Sequence, residues 1–264
     1  IGVSSVIAMM AVGRGAQVSV TSRISDLGTD LITVSPGAES LRFAFFGGGG
    51  NSDVLSLADA LALKDDVFAP DVRLVAPENS FSGAATFGSE NMFVSGLGIT
   101  AEYLEARNLI IESGRNISNA DVANISNVVI LGSEIKETLF AQRDIIGATI
   151  KISGRKFTVV GVLESQEGTL FNPDNSVLIP ITTAHYRIKN GKGPVDSIAV
   201  SSINALATSE STVDDARTDI STVLRLRHEL GVDEDDDFLI TTQQDTIETL
   251  EGTQGTFVIL LGSI

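Results

Sequence analysis

Ser197-Ile-Ala-Val-Ser201, a long run ending Leu224-Arg-Leu-Arg-His-Glu-Leu230, and Gly231-Val-Asp-Glu-Asp-Asp-Asp-Phe238 form the stretch whose reading decides the fold. Val213, Ala216, Ile220, Val223, Leu224 and Leu230 step mostly by three and four, so the spacing predicts an amphipathic helix with one buried face. Ser211 or Thr212 is placed to cap its first N–H groups, and Asp214 and Asp215 meet the positive end of its dipole. Arg225, Arg227 and His228 meet the negative end, and Gly231 is the expected left-handed stop. A strand at Ser197–Ser201, this covering helix and a second strand at Phe238–Thr242 predict a βαβ-like unit.

Composition sets bounds around that unit. The chain of 264 residues is long enough for one large domain or two modest ones. Its 34 Asp+Glu against 18 Lys+Arg, a net charge of −16, repel phosphate backbones and argue against nucleic-acid binding. With no Cys, disulfides, thiolate nucleophiles and Cys-ligated zinc are excluded, and two His leave little material for acid–base or metal chemistry.

Ile1–Val12 and Thr256–Ile264 are both apolar, yet neither reaches the ~20 residues that span a bilayer. No basic region precedes the first, so it does not read as a signal peptide. The expectation is the ends of two membrane helices with both termini on one side of a membrane; the alternative is a pair of buried terminal helices. Ala16, Val20, Ile24 and Leu27 continue at helical spacing to Gly28, so a stalk leading from membrane to water is expected over residues 1–28.

Between the ends, Leu31–Ser35 reads as a strand stopped by Pro36-Gly37. Gly47–Gly50 lies in a loop after Phe43, Phe45 and Phe46. No Gly-Lys-Ser/Thr follows it, so a phosphate cradle is the weaker reading. Leu55–Val67 reads as a helix capped by Ser56, Val72–Ala76 as a strand, and Ser82–Phe87 with Asn91–Val94 as a hairpin. Strand, helix, strand, strand, followed later by strand, helix, strand, predicts a split α+β sandwich of ferredoxin-like type. An insertion over residues 99–193 separates its two parts and reads as mostly β. Within it stand a short helix at Ala101–Arg107, a buried strand at Asn127–Leu131 and a helix at Glu134–Phe140. A hairpin over Thr149–Leu163, a strand at Ser176–Ile179 and a helix at Thr182–Ile188 follow.

Several of these pieces resemble one family. Gly15-Ala16, Ile24, Leu27-Gly28 and Leu31-Ile-Thr-Val-Ser-Pro-Gly37 are similar to the end of the first transmembrane helix and the first strand of MacB-type ABC transporter permeases. Gly114-Arg115 with Asp121, Val128–Ser133 with Leu139-Phe140, and Ile145-Ile-Gly147 with Phe157–Leu163 resemble the same family. So do Val177–Ala184, and Arg225-Leu-Arg-His228 with Asp236-Asp-Phe238. The resemblance covers essentially the whole chain in order. It implies a periplasmic core between the first and second transmembrane helices of an inner-membrane protein. Residues 29–98 and 194–243 would form a Porter-like lobe, residues 99–193 an inserted Sabre-like lobe, and residues 244–264 a stalk and the start of the second membrane helix. It further implies a dimer of permease copies, an ABC ATPase domain or subunit, a periplasmic adaptor in some members, and export driven by movement of the stalks. No Walker A motif is present, so the ATPase would be fused upstream or be a separate subunit. Two departures, the glycine-rich Phe43–Asp53 loop and Asn172-Pro-Asp-Asn175 in place of a more acidic turn, bear on partner identity.

No catalytic, cofactor or metal residues are expected. His185 and His228 are assigned to separate lobes, and no Gly-x-Ser-x-Gly elbow presents a nucleophile. His228 is expected to act on the helix dipole. Asp233–Asp237 lacks calcium-loop spacing and reads as a solvated acidic turn. Asn116-Ile-Ser118 and Asn124-Ile-Ser126 match glycosylation acceptors, which a bacterial setting leaves idle. The leading expectation is a non-catalytic coupling domain; the alternative is a peptide- or lipid-binding module without a transport-coupling role.

Overall fold

The computed structural model describes residues 30–37, 55–140, 145–166 and 173–248. The stalk expected over residues 1–28, all but the first five residues of the stalk and helix expected over 244–264, the Phe43–Phe46 cluster, Gly47–Gly50 and Asn172 lie outside these residues. The described strands, in chain order, are β1 (Leu31–Pro36), β2 (Val72–Phe87), β3 (Glu90–Ile99), β4 (Ile111–Gly114) and β5 (Val128–Leu131). They continue with β6 (Thr149–Ile152), β7 (Arg155–Leu163), β8 (Ser176–Pro180), β9 (Ser202–Ala207) and β10 (Phe238–Thr242). The helices are α1 (Leu57–Ala62), α2 (Tyr103–Ala106), α3 (Asn119–Ala123), α4 (Ser133–Phe140), α5 (Ile181–Thr183) and α6 (Val213–Arg227). Residues 243–248 are also helical.

β1 is the axis of an open, antiparallel sheet. It pairs with β10 on one edge and β9 on the other, and β9 pairs in turn with Val72–Glu78 of β2, giving the order β10-β1-β9-β2. The strand period of two places Ile32, Val34, Ile203, Ala205 and Ile240 on one face. There they meet Leu57 and Ala60 of α1 and Ala216, Ile220, Val223 and Leu224 of α6. The buried stripe of α6 is the one its spacing predicts.

β2 then continues past the open sheet. Its second half, from Glu78 to Phe87, pairs with β3. β3 pairs with β8, β8 with β5, β5 with β7, β7 with β6, and β6 returns to Ala85 and Thr86 of β2. These pairings close a ring that leaves none of its strands a free edge around the circuit. Ala85, Val94, Val129, Ile150, Ile152, Phe157, Val159 and Val177 fill its interior, with Leu139 and Phe140 of α4 packed against them. Outside the ring a third cluster forms where α2 brings Tyr103, Leu104 and Ala106 against Leu97, Ile99, Ile130 and Leu178. α5 ties the parts together, since Ile181 packs in the open-sheet core and Ala184, just beyond it, in the ring core.

Four local readings are corrected. Ser197–Ser201 holds only an isolated bridge, Ala199 to Ser56, and the strand starts at Ser202. The polar Ser202 and Asn204 disguised that strand; both are buried and satisfied by Glu78. The helix after Ser56 ends at Ala62, because Asp65 accepts the N–H of Val67 and bends the chain into turns. The stop of α6 is Glu229 at φ 57° rather than Gly231, with Leu230 N donating to Arg225 O and Glu229 N to Leu226 O. The helix expected at Thr182–Ile188 is α5 followed by a π turn, Ala184–Ile188.

Candidate functional site

The register of β1 and β10 brings the two ends of the described chain to one place. Ile32 at the start of β1 is the partner of Thr242 at the end of β10, so the chain enters and leaves the domain side by side. The exit is built for a helix. Thr242 N donates to Asp245 Oδ2 at 2.9 Å and Asp245 N to Thr242 Oγ1 at 3.1 Å, a reciprocal cap that starts the helical residues 243–248. Thr246 Oγ1 donates to Thr242 O, and Arg217 on α6 reaches Asp245 Oδ2 at 3.4 Å. The bond from the Thr242 backbone, then that from its hydroxyl and the charge of Arg217, hold the Asp245 carboxyl below its ordinary value against the opposing effect of burial. The exit is thus bonded to β10, and through the ladder to β1 and through Arg217 to the long helix.

The other end of the same strands carries a second constellation. His228, its side chain 9% exposed, stands between Asp237 (Nδ1 to Oδ1, 2.8 Å) and Asp59 (Nε2 to Oδ2, 3.6 Å). Arg227 Nε donates to Asp59 Oδ1 at 2.7 Å, and Asp59 also accepts from the backbone and hydroxyl of Ser56 at the N-cap of α1. Burial alone raises the Asp59 value, but the facing His228 ring and the bonds from Ser56 and Arg227 outweigh it and carry the carboxyl well below the usual range. The Asp59 carboxylate facing Nε2, opposed by burial and reinforced by the bond to Asp237, raises His228 above 6.5. The clasp thus joins α1, α6 and the entry to β10. Asp237 O accepts the N–H of Gly37 at 2.7 Å, and a Cβ on Gly37 would come within 2.9 Å of that oxygen, so the clasp also fixes the end of β1. Beside it Arg225 binds Asp236 and the carbonyls of Gly231 and Glu234, so the acidic turn is held in place by cations as well as solvated.

The remaining predicted positions are dispersed. His185 packs its ring against Gly191 and makes an edge contact with Tyr186. Asn116 donates to Ala101 O and accepts from its neighbour Ile117, and Asn124 closes α3. Inside the fold, Asn204 Nδ2 and Ser202 Oγ both reach Glu78, and Arg107 and Thr33 reach Asn204 Oδ1. Burial, with the charge of Glu78, pushes the neighbouring Tyr103 hydroxyl well above 10. Among the described residues no grouping of three or more His, Cys, Asp or Glu is arranged to hold a metal, and no helix is long and apolar enough to cross a membrane. The cap at Thr242-Gln-Gln-Asp245 was legible as a Ser/Thr-x-x-Asp/Glu pattern; the clasp was not, because its partners lie far apart in sequence.

Comparison with known proteins places this geometry. The family model described as MacB-like periplasmic core domain matches residues 1–223. The macrolide export ATP-binding/permease protein MacB of Azoarcus sp. (strain BH72) is 32% identical over 266 residues, and that of Rhodospirillum rubrum 30% over 268. Each alignment takes in 100% of this chain, which spans only 38% of either relative. The crystal structure of the periplasmic region of MacB from Actinobacillus actinomycetemcomitans superposes with a TM-score of 0.68 at 22% identity, covering 86% of this chain and 95% of that one. The extracellular domain of the noncanonic ABC-type transporter YknZ from Gram-positive bacteria gives 0.62 at 17%, covering 80% of this chain and 100% of that one. At these identities the two structures speak for the fold.

Proposed function

Because the chain belongs to the MacB-like periplasmic core domain family, we propose that it is the extracytoplasmic part of an ABC transporter permease and carries mechanical movement. In this reading the strands and helices around β1 form a ferredoxin-like, Porter-like lobe over residues 29–98 and 194–243. Residues 99–193 form the inserted Sabre-like lobe, which completes its ring with the second half of β2 and with β3, both contributed by the preceding part of the chain. Residues 1–28 and 244–264 are the roots in the inner membrane. Hydrolysis of ATP by a separate domain or subunit, in a dimer of permeases, shifts the roots and thereby the body; a periplasmic adaptor receives the movement. This chain performs no chemistry of its own.

The observation that carries the reading is the pairing of Ile32 with Thr242, with the exit helix capped by Asp245 and pinned by Arg217. Two neighbouring antiparallel strands are the shortest hydrogen-bonded link between an entering and a leaving root. Force on either is borne by the ladder between them and passes through β9 to β2, the one strand common to sheet and ring. The test is an engineered disulfide between paired stalk helices in the full-length dimer. Locked stalks should abolish export while leaving nucleotide binding intact, with reductant restoring export. Undiminished export with the lock formed removes the mechanical role.

A further inference from the structure

Charge is spread unevenly over this acidic chain. Residues 145–163 hold Lys151, Arg155 and Lys156 and no acidic residue; residues 175–195 hold Arg187, Lys189 and Lys192, again with none. The fold brings the two segments together, because Arg155 Nη2 donates to Asn190 Oδ1 at 3.0 Å. Lys151 and Lys156 are directly opposed on β6 and β7, an arrangement of like charges that costs stability. Ile150, Ile152 and Phe157 fill the ring, so the alternation of each strand turns both ammonium groups outward. On the same outer face Thr86 of β2 lies opposite Lys151, and Asn91 of β3 opposite Thr86. Two residues along β3 stands Phe93, 71% exposed and facing only Ala84 across the ladder. An unburied aromatic on the same face as cations that repel one another contributes nothing evident to folding, and exposed aromatics are enriched at recognition surfaces.

We propose that this outer face of the ring, Phe93 with Lys151 and Lys156, docks an acidic polypeptide segment that carries apolar side chains. The occupant follows from charge and position. The cations call for carboxylates, and Phe93 calls for an apolar neighbour that a bare polyanion does not supply. The inner-membrane surface is out of reach. β2 runs from Val72, level with the entry of β1, to Thr86 beside Lys151, a length of roughly 46 Å at strand rise. The field of anionic headgroups decays over about 8 Å at physiological salt. That exclusion rests on the proposed placement of the roots; the complementarity of the patch does not. A second copy carries its own acidic turn, Asp233–Asp237, beside the open sheet rather than on the ring.

The test needs neither membrane nor transport. A labelled synthetic peptide alternating Glu and Leu is titrated into the 264-residue chain by fluorescence anisotropy, alongside its Gln-for-Glu counterpart and phosphatidylglycerol vesicles. The acidic peptide should bind, and more weakly as salt rises. Lys151→Gln with Lys156→Gln should weaken it about tenfold or more, and Phe93→Ala about fivefold. Thermal melts of the variants should match or exceed the parent, since one change removes a like-charge pair and the other an exposed ring. No binding of the acidic peptide, equal binding of the Gln peptide, indifference to the substitutions, or stronger attachment to the vesicles would each overturn the proposal. A failed stalk-lock experiment would leave these results untouched.

Discussion

The open sheet and the closed ring share β2 but solve the edge problem differently. The ring satisfies its strands around a circuit, with an apolar interior rich in Val, Ile and Phe. The sheet ends at β10, whose outer side has no strand partner among the described residues, and its helices are fastened by charges: Asp59, Arg227, His228 and Asp237 at one end, Arg217 and Asp245 at the other. Apolar packing inside a closed ladder is insensitive to pH, whereas ion pairs between elements are made and broken by single protons. The ring is therefore the member that responds least to pH, and the sheet, where the chain enters and leaves, the one that responds most.

The largest effect should come from the ring. Phe157→Ala empties a fully buried position in its interior and is expected to cost about 4 kcal/mol in chemical denaturation. Because β2 runs through both parts, near- and far-ultraviolet probes should shift together. Two separated transitions would break the view that sheet and ring are one cooperative unit.

Next comes the clasp. Asp59→Asn leaves Arg227 and His228 without their shared carboxylate and should cost about 3 kcal/mol at neutral pH. The sign differs on the two sides of neutrality. Asp59 has a lowered value, so its contribution is complete above about 4, the ordinary carboxylate range, and is lost as pH falls toward its folded value. His228 has a raised value, so its contribution is complete below about 6.5 and is lost as pH rises through the folded value above that. The stability gap between parent and Asp59→Asn should thus narrow both in acid and in alkali. A gap constant across the whole range would show that Asp59 acts through packing alone.

The difference between the two regions also explains how much was legible beforehand. Three ring strands carry uninterrupted or alternating apolar runs, Val128–Leu131, Phe157–Leu163 and Ser176–Ile179, and were read nearly to the residue, whereas β3 was read only over Asn91–Val94 of its Glu90–Ile99. α6 was equally plain from its stripe. β9 was missed because Ser-Ile-Asn-Ala-Leu-Ala mixes polar residues into a strand buried on both faces, and only Glu78 from another strand makes Asn204 tolerable there. His228 was assigned to a helix dipole because the sequence shows Arg225 and Arg227 beside it. The carboxylates that hold it come from Asp59, nearly the whole fold away in sequence, and from Asp237 beyond a turn. Closure of the ring was likewise invisible, since it hangs on the two-residue ladder between β2 and β6. Local chemistry is written locally; register and long-range ion pairs are not.

The smallest expected effect lies at the exit, and it tests the comparison most finely. Thr242→Ala removes the hydroxyl that caps residues 243–248 and should cost those residues about 1 kcal/mol of local stability. Amide exchange there should quicken about fivefold, while the global transition and exchange in the ring stay unchanged. Asp245, lowered in value by its bonds to Thr242, contributes above the ordinary carboxylate range and loses that contribution in acid, so acidification should mimic the substitution in the parent. Serine at position 242 keeps a capping hydroxyl and should restore slow exchange. If Thr242→Ala instead lowers the global transition, the exit helix is a load-sharing part of the body, and the sheet end cannot act as the compliant joint through which movement enters.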